Sequence, residues 1–266
     1  MDDPRPRLSV IVPCYHGGAT LAAEIAAIED VLRACEPSYE VIIVVDGDPD
    51  DALPAATALT SDRVTVLTYE PNQGKGFAVM TGMLHARGDL VGFIDAGGDI
   101  APEAWRRLLA LQEGNAADAV IGSKRHRDSE VDYPPLRRLF SLGFQALTFV
   151  LFRLGLRDTQ TGIKLFTAEA VQQVAPLLTV KRFAFDVEFL AVARHLGFRR
   201  IVEAPVRVDY NFRTTINWRA ILQMFWDTAA VAYRLHILRH YDRTGVDFEA
   251  ARAASPAHEV TRVPSR

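Results

Sequence analysis

The residues best suited to chemistry lie between positions 72 and 99. A glycine-rich turn, NQGKG at 72–76, opens a helical pattern, and an apolar stretch then leads into the acidic run DAGGD at 95–99. Loop amides and a helix N-terminus favour anions, whereas carboxylates favour Mg²⁺ or Mn²⁺. The segment therefore predicts a site that holds a phosphorylated ligand and a divalent cation side by side.

The elements that must position this site alternate between strand and helix. Apolar runs predict buried strands at 8–13, 39–45, 64–69, 90–94 and 119–121, and the intervening patterns predict helices at 19–35, 51–60, 76–86 and 102–112. Such alternation is typical of a mostly parallel sheet covered on both faces. Ligands bind beyond the carboxyl ends of the strands in such sheets, and Pro13, Asp46 and Asp95 all fall at these ends.

Composition restricts the class of protein. The chain has 266 residues, 49% of them hydrophobic, which suits one large α/β domain or a domain with an appendage. A net charge of -3 argues against a general nucleic-acid binder, so no nucleic-acid partner is expected. Two cysteines without metal or redox spacing favour a reduced, cytosolic setting.

The second half of the chain predicts two unusual helices. One, at 135–156, is apolar with arginines at both ends, and the other, at 216–237, is amphipathic. The best candidate for a membrane span, 139–152, has 14 uncharged residues, fewer than the roughly 20 that a span needs. We therefore expect a protein that is soluble or lies on a membrane. The polar segment 243–266 predicts a disordered tail.

Several blocks occur in order within residues 7–215. They are VIVPCY at 10–15, EVIIVVDG at 40–47, NQGKG at 72–76, GD at 88–89, FIDA at 93–96, GSKR at 122–125, DTQTG at 158–162 and FDVE at 185–188. Together they resemble the family 2 glycosyltransferases, in particular the dolichol- or polyprenol-phosphate sugar synthases. The resemblance implies a Rossmann-like GT-A nucleotide-sugar-binding domain over 1–215, an amphipathic docking helix at 216–242 and the tail at 243–266.

The resemblance also assigns donor-side roles. It places Pro13, Tyr15 and Asp46 around the nucleotide of an activated sugar, and it makes Lys75 a cation of the donor pocket. The alternatives are a strand-ending turn for Pro13, a helix cap for Asp46 and a solvated loop position for Lys75. Asp95 is expected to contact both the donor and the metal.

The metal motif departs from the family pattern. The family has Asp-x-Asp at this point, often with a third polar ligand two residues on, but here Gly97 takes the second aspartate's place and Asp99 stands third. Either Asp99 and the donor diphosphate complete the shell of Mg²⁺ or Mn²⁺, or the metal affinity and activity are reduced. Asp99 could instead cap the helix that begins near position 102.

Acceptor-side roles fall on a basic group and one aspartate. Asp95, Asp158 and Arg125 are expected in the catalytic site, and Asp186 and Glu188 are expected either to be structural or to support the site from behind. Arginine suits phosphate because its planar fork donates hydrogen bonds in pairs. The residues expected to hold the acceptor phosphate are Lys124, Arg125, Arg138 and Arg213.

The sequence therefore predicts an inverting transferase that moves a hexose from a nucleotide-sugar to a polyprenyl or dolichyl phosphate. GDP-mannose, UDP-glucose and UDP-N-acetylhexosamine all remain open as donors. We expect a cytoplasmic protein, peripheral on the cytosolic face of a membrane, with the membrane surface or a separate membrane protein as a partner. The alternatives are a soluble acceptor, or a catalytically weak nucleotide-sugar-binding scaffold in which Gly97 interrupts the metal motif.

Overall fold

The structure, a computed structural model, describes residues 5–15, 18–47, 52–131, 135–208, 218–242 and 247–260, with side chains except at 135–140 and 218–221. The strands are β1 Leu8–Cys14, β2 Tyr39–Asp46, β3 Val64–Tyr69, β4 Leu90–Ile94, β5 Ala119–Ser123, β6 Glu130–Val131, β7 Ile163–Thr167, β8 Ile201–Pro205, β9 Arg207–Val208 and β10 His258–Glu259. The helices are α1 Gly18–Cys35, α2 Ala52–Thr57, α3 Lys75–His85, α4 Ala104–Asn115, α5 Pro135–Phe152, α6 Ala168–Val174, α7 Phe185–His195, α8 Trp218–His236 and α9 Phe248–Ala253.

Eight strands form the central sheet, in the order β10-β3-β2-β1-β4-β7-β5-β8. The strands β1, β2, β3 and β4 run parallel, so their carboxyl ends meet at one edge. β7 runs antiparallel between β4 and β5, and its first residue, Ile163, pairs with Ile94 at the end of β4. The antiparallel strand therefore brings the DTQTG segment to the same edge as the glycine-rich turn.

Two apolar cores cover the two faces of the sheet. Side chains alternate along β1, so that Ile11 packs in the core under α3 and α7 while Val10 and Val12 pack in the core under α1 and α4. This alternation follows from the two-residue period of a strand. Because both faces are buried, the strands read as continuous apolar runs in the sequence.

Of the predicted disordered tail at 243–266, the structure describes residues 247–260, which form a helix and a strand, and the remaining residues lie outside the described part. Residues 247–260 contain α9, which is capped by Asp247, whose side chain accepts a hydrogen bond from the N–H of Glu249 at 2.9 Å. β10 then pairs antiparallel with β3 at the edge of the sheet. The polar composition did not predict this order, because β10 needs only backbone hydrogen bonds to β3, and α9 needs only a few apolar contacts, such as those of Phe248 and Ala251 with the core.

Candidate active site

Asp46, at the end of β2, holds the glycine-rich turn against the sheet. Its Oδ1 accepts a hydrogen bond from the N–H of Gln73 at 2.7 Å, and its Oδ2 accepts one from the N–H of Gly74 at 2.9 Å. The side-chain amide of Asn72 donates to the same Oδ2 at 3.0 Å. Asp46 therefore shapes the loop that precedes α3, and its contact with a nucleotide stays a prediction.

Asp158 organises the loop between α5 and β7 in the same way. Its Oδ2 accepts hydrogen bonds from the Lys124 N–H at 3.0 Å and from the Thr161 hydroxyl at 2.6 Å. Its Oδ1 accepts one from the N–H of Gln160 at 3.0 Å. This buried carboxylate thus joins the end of β5 to the start of β7, and its catalytic role stays a prediction.

Asp95 lies immediately after β4, and its carboxylate has a different partner from those of Asp46 and Asp158. Its own N–H donates to the carbonyl of Gly162 at 2.8 Å, which fixes the backbone beside the DTQTG segment. Both of its carboxylate oxygens lie 2.8 Å from Nζ of Lys75. Its side chain is 35% exposed, and the hydrogen bond described for its carboxylate comes from this ammonium and not from a backbone amide.

Lys75 begins a line of alternating charges that runs into the core. Its Nζ is also 3.9 Å from Oδ2 of Asp186, whose Oδ1 lies 2.6 Å from Nζ of Lys164. Lys164 is 1% exposed and also donates to the carbonyl of Thr161 at 2.6 Å. Both ammonium groups lie over the ring of Phe93, at 5.3 Å and 5.2 Å from its centroid.

Burial and charge act against each other on the two lysines. Burial tends to lower the pKa of Lys75, but attraction by Asp95 and Asp186 outweighs it, so the pKa of Lys75 is raised. Burial dominates at Lys164 and lowers its pKa, although Asp186 opposes the shift. Asp186 thus lies between the two lysines, and its supporting role stays a prediction, while Lys164 was not among the predicted residues. Its signal was a lysine within the apolar strand IKLFT.

Of the three strand-end and loop aspartates, Asp95 fits a divalent cation best. Backbone amides hold the carboxylate oxygens of Asp46 and Asp158. The carboxylate of Asp95 is instead bonded to the Lys75 ammonium, and a lysine side chain can rotate away. Within the described residues no three His, Cys, Asp or Glu side chains form a group that could hold a metal. An ion on Asp95 would therefore need further oxygen ligands from a bound phosphate and water.

The loop after Asp95 has a support that the sequence did not reveal. The N–H of Gly97 donates to Oε2 of Glu24, on α1, at 2.9 Å. Gly97 and Gly98 both have positive φ, and the exposed Asp99 follows them. The place of Asp99 in a metal shell stays a prediction.

The other predicted residues are distributed around this edge. Pro13 pairs with Val44 near the end of β1, and Tyr15 follows that strand with 44% of its surface exposed. Arg125 donates from Nη1 to Oε1 of Gln145 on α5 at 2.5 Å, and Lys124 contributes the N–H already described. The Arg138 side chain and the whole of Arg213 lie outside the described residues.

Comparison with known proteins assigns the family. Residues 9–175, more than half of the chain, match the profile described as Glycosyl transferase family 2. The chain belongs to this family. It is 35% identical over 184 residues to a dolichyl-phosphate beta-glucosyltransferase of Trichomonas vaginalis, covering 66% of this chain and 54% of the relative. It is 33% identical over 225 residues to the dolichyl-phosphate beta-glucosyltransferase of Homo sapiens, covering 79% of this chain and 68% of that protein.

The fold of this glycosyltransferase also matches solved structures. A glucosyl-3-phosphoglycerate synthase from Mycobacterium tuberculosis, solved with Mn²⁺, uridine diphosphate and phosphoglyceric acid, superposes with a TM-score of 0.66 at 18% identity. The match covers 85% of this chain and 78% of that one. The expected GT-A fold with a mostly parallel sheet is thereby confirmed. The chain spans about half the length of the Trichomonas relative.

Proposed function

We propose that this glycosyltransferase transfers a glucosyl residue from a nucleoside-diphosphate glucose to a dolichyl or related polyprenyl phosphate. The observation that carries the proposal is the Asp95–Lys75 pair, which stands beside the glycine-rich turn at the carboxyl edge of the sheet. The similarity to dolichyl-phosphate beta-glucosyltransferases supports glucose and a lipid phosphate over the other sugars and acceptors.

The chemistry is a single displacement. A phosphate oxygen of the acceptor attacks the anomeric carbon, the bond from that carbon to the diphosphate breaks, and the nucleoside diphosphate leaves with the electron pair. The acceptor phosphate is already anionic at neutral pH, so no strong base is required. This agrees with Asp158, whose oxygens already accept hydrogen bonds from its own loop and from Lys124.

The site must stabilise the negative charge that forms on the leaving diphosphate. When bound, a divalent cation on Asp95 would supply part of that stabilisation. Lys75 lies at the start of α3, where its ammonium and the helix N-terminus both favour the diphosphate. Asp186 lies 3.9 Å from this ammonium on the buried side and is itself paired with Lys164.

The first experiment tests donor and acceptor separately. Thermal unfolding with UDP-glucose, GDP-mannose or UDP-N-acetylglucosamine, each with and without Mn²⁺, should give the largest stabilisation with a glucose donor. Radiolabelled glucose should then enter an organic-extractable product when dolichyl phosphate is present. Label that appears only in water-soluble products would favour a soluble acceptor, and donor binding without any turnover would favour a scaffold.

The helices α5 and α8 form an exposed apolar surface that suits the lipid. Apolar side chains of α8 face solvent, including Trp226 at 74% exposure, and Val150 of α5 is 75% exposed. Phe144 and Phe225 pack edge to face between the two helices, so both outward faces belong to one layer. The further exposed apolar residues of this layer are Leu142, Phe149, Leu222, Tyr233, Ile237 and Leu238.

We infer that this layer rests in the headgroup region of a membrane. In the described part of the chain no helix is long and apolar enough to cross a bilayer. A partly inserted apolar face suits such helices, and Arg153 and Arg157 are exposed where α5 ends. The hydrogen bond between Arg125 and Gln145 of α5 supports an acceptor site beside this layer.

Vesicle sedimentation tests the membrane proposal. A Phe149→Glu/Trp226→Glu variant should bind anionic vesicles at least tenfold more weakly, because each apolar side chain is worth about 1.5–3 kcal/mol when buried. The matched control, Gln172→Glu/Gln173→Glu, adds the same two charges at exposed positions of α6 and should bind like the wild type. Equal vesicle binding by both variants would refute this surface, and wild type that stays in the supernatant would indicate docking on a protein.

A further inference from the structure

We propose that Lys75 competes with the divalent cation for Asp95, and that the donor diphosphate relieves this competition. The cation and the nucleotide should then bind with positive cooperativity. The inference rests on the proposed function for the identity of its ligands, and it concerns the order and coupling of their binding.

Lys75 occupies the space in which Asp95 would bind a cation. Nζ of Lys75 is 2.8 Å from each oxygen of Asp95, so it stands in front of the carboxylate fork. Mg²⁺ binds oxygen at about 2.0–2.1 Å, and a cation that uses both oxygens would need the same region. A cation that uses one oxygen would still meet the repulsion of the ammonium. Lys75 must therefore move, or be neutralised, before Asp95 can bind a metal strongly.

The Lys75 ammonium needs another anionic partner if it is to leave Asp95. Asp186 is 3.9 Å away, but its carboxylate is already paired with Lys164 at 2.6 Å. It is therefore a weak competitor for Lys75. A diphosphate at the glycine-rich turn would carry more than one negative charge and would lie at the N-terminus of α3, which also favours anions. The diphosphate can thus draw Lys75 from Asp95.

The residues around Asp95 supply few further ligands for a cation. Gly97 offers no carboxylate, and its N–H is bonded to Glu24. Within the described residues the cation finds no ready group of three acidic or imidazole ligands. The cation alone consequently gains little from the protein, whereas the nucleotide supplies ligands and also removes the competing charge.

The competition predicts how strongly nucleotide binding and cation binding affect each other. Coupling between two ligands of one site commonly changes affinity by about 5–150-fold, and it is equal in both directions. We expect UDP to tighten Mn²⁺ binding by roughly tenfold or more, and Mn²⁺ to tighten UDP binding by the same factor. Both affinities are measurable without turnover, by calorimetry and by the electron paramagnetic resonance signal of free Mn²⁺.

Substitution of Lys75 separates this mechanism from simple bridging. Lys75→Met should bind Mn²⁺ alone roughly tenfold more tightly than the wild type, because the competing ammonium is gone. It should bind UDP more weakly and show a smaller coupling factor. Lys75→Gln serves as a second variant if the first unfolds at a lower temperature than the assay allows.

The matched control is Lys181→Met, which removes the same charge nearby. Lys181 donates to Oε1 of Gln73 at 2.7 Å and lies over the ring of Phe77, so it belongs to the same loop region. The affinity of this variant for Mn²⁺ alone should stay close to that of the wild type. Tightening by both variants would indicate a general charge effect and would overturn the specific competition.

The outcomes also separate this inference from the proposed function. UDP and Mn²⁺ that bind independently, or a Lys75→Met variant with unchanged or weaker Mn²⁺ affinity, would overturn the competition while leaving the transferase proposal intact. A wild type that binds neither UDP, GDP nor a nucleotide-glucose, with or without Mn²⁺, would overturn both.

Discussion

Gly162→Ala is the most direct test of the geometry around Asp95. A Cβ atom at position 162 would meet the Asp95 side chain, with Cβ of Asp95 3.0 Å away and its Cγ and Oδ2 closer still. Real Cβ atoms do not approach other atoms so closely, so the substitution must displace the carboxylate. The backbone cannot give way easily, because the Gly162 carbonyl accepts a hydrogen bond from the Asp95 N–H at 2.8 Å.

The displacement sets the expected magnitude. The oxygen that now lies next to Gly162 must move by about 1 Å, and a misplacement of this size can cost about 10²-fold in rate. Overpacking at a buried position costs about 1–3 kcal/mol of stability, and the fold should survive that loss. We therefore expect about a hundredfold lower kcat/KM for sugar transfer, with a modest fall in the unfolding midpoint.

The assay is sugar transfer at saturating Mn²⁺, with unfolding followed in urea for each variant. Gly114→Ala is the control, because it makes the same change within α4, where a new Cβ meets nothing within 4 Å. It should keep full activity and gain about 0.5–1 kcal/mol of stability. Wild-type turnover in Gly162→Ala would refute the assignment of Asp95 to the reaction centre, since the carboxylate cannot keep its position there.

Three further substitutions test individual contacts. Glu188→Ala should lower the free energy of unfolding by about 3–5 kcal/mol in a urea titration. The reason is that this buried carboxylate accepts hydrogen bonds from Val180 and Tyr241 and pairs with Arg234. A loss below about 1 kcal/mol would contradict that role. Asp158→Asn should lower the free energy of unfolding by about 1–3 kcal/mol and slow sugar transfer, since the amide cannot accept all three hydrogen bonds that the carboxylate accepts. Unchanged stability and rate would show that the loop tolerates their loss. At Gly97→Asp the new side chain has open space, but the backbone φ of 112° disfavours any residue with a Cβ. The variant should therefore have a lower melting temperature, even if Mn²⁺ titration shows tighter binding. An unchanged melting temperature would exclude strain at this position.

The elements that depend on local patterns could be predicted from the amino-acid sequence. The strands and helices from Leu8 to Ser123 follow from the spacing of apolar residues, and their observed bounds lie within a few residues of the predicted ones. The same reasoning placed Asp46 and Asp95 at strand ends, because parallel strands present their carboxyl ends at one edge. The ordered motif blocks indicated the family, which the profile match over 9–175 confirms.

The contacts of the charged groups, in contrast, depend on the packing of distant segments. Asp46 and Asp95 look alike in sequence, yet one is held by amides 27 and 28 residues away and the other faces an ammonium 20 residues away. Lys164 became part of the site because β7 inserts antiparallel beside β4, a pairing that no local period encodes. The segment 247–260 became ordered because β3 offered an unpaired edge. The partners of a buried polar group are set by which distant segments the fold brings within about 3 Å, and that choice is made by the packing of the whole chain.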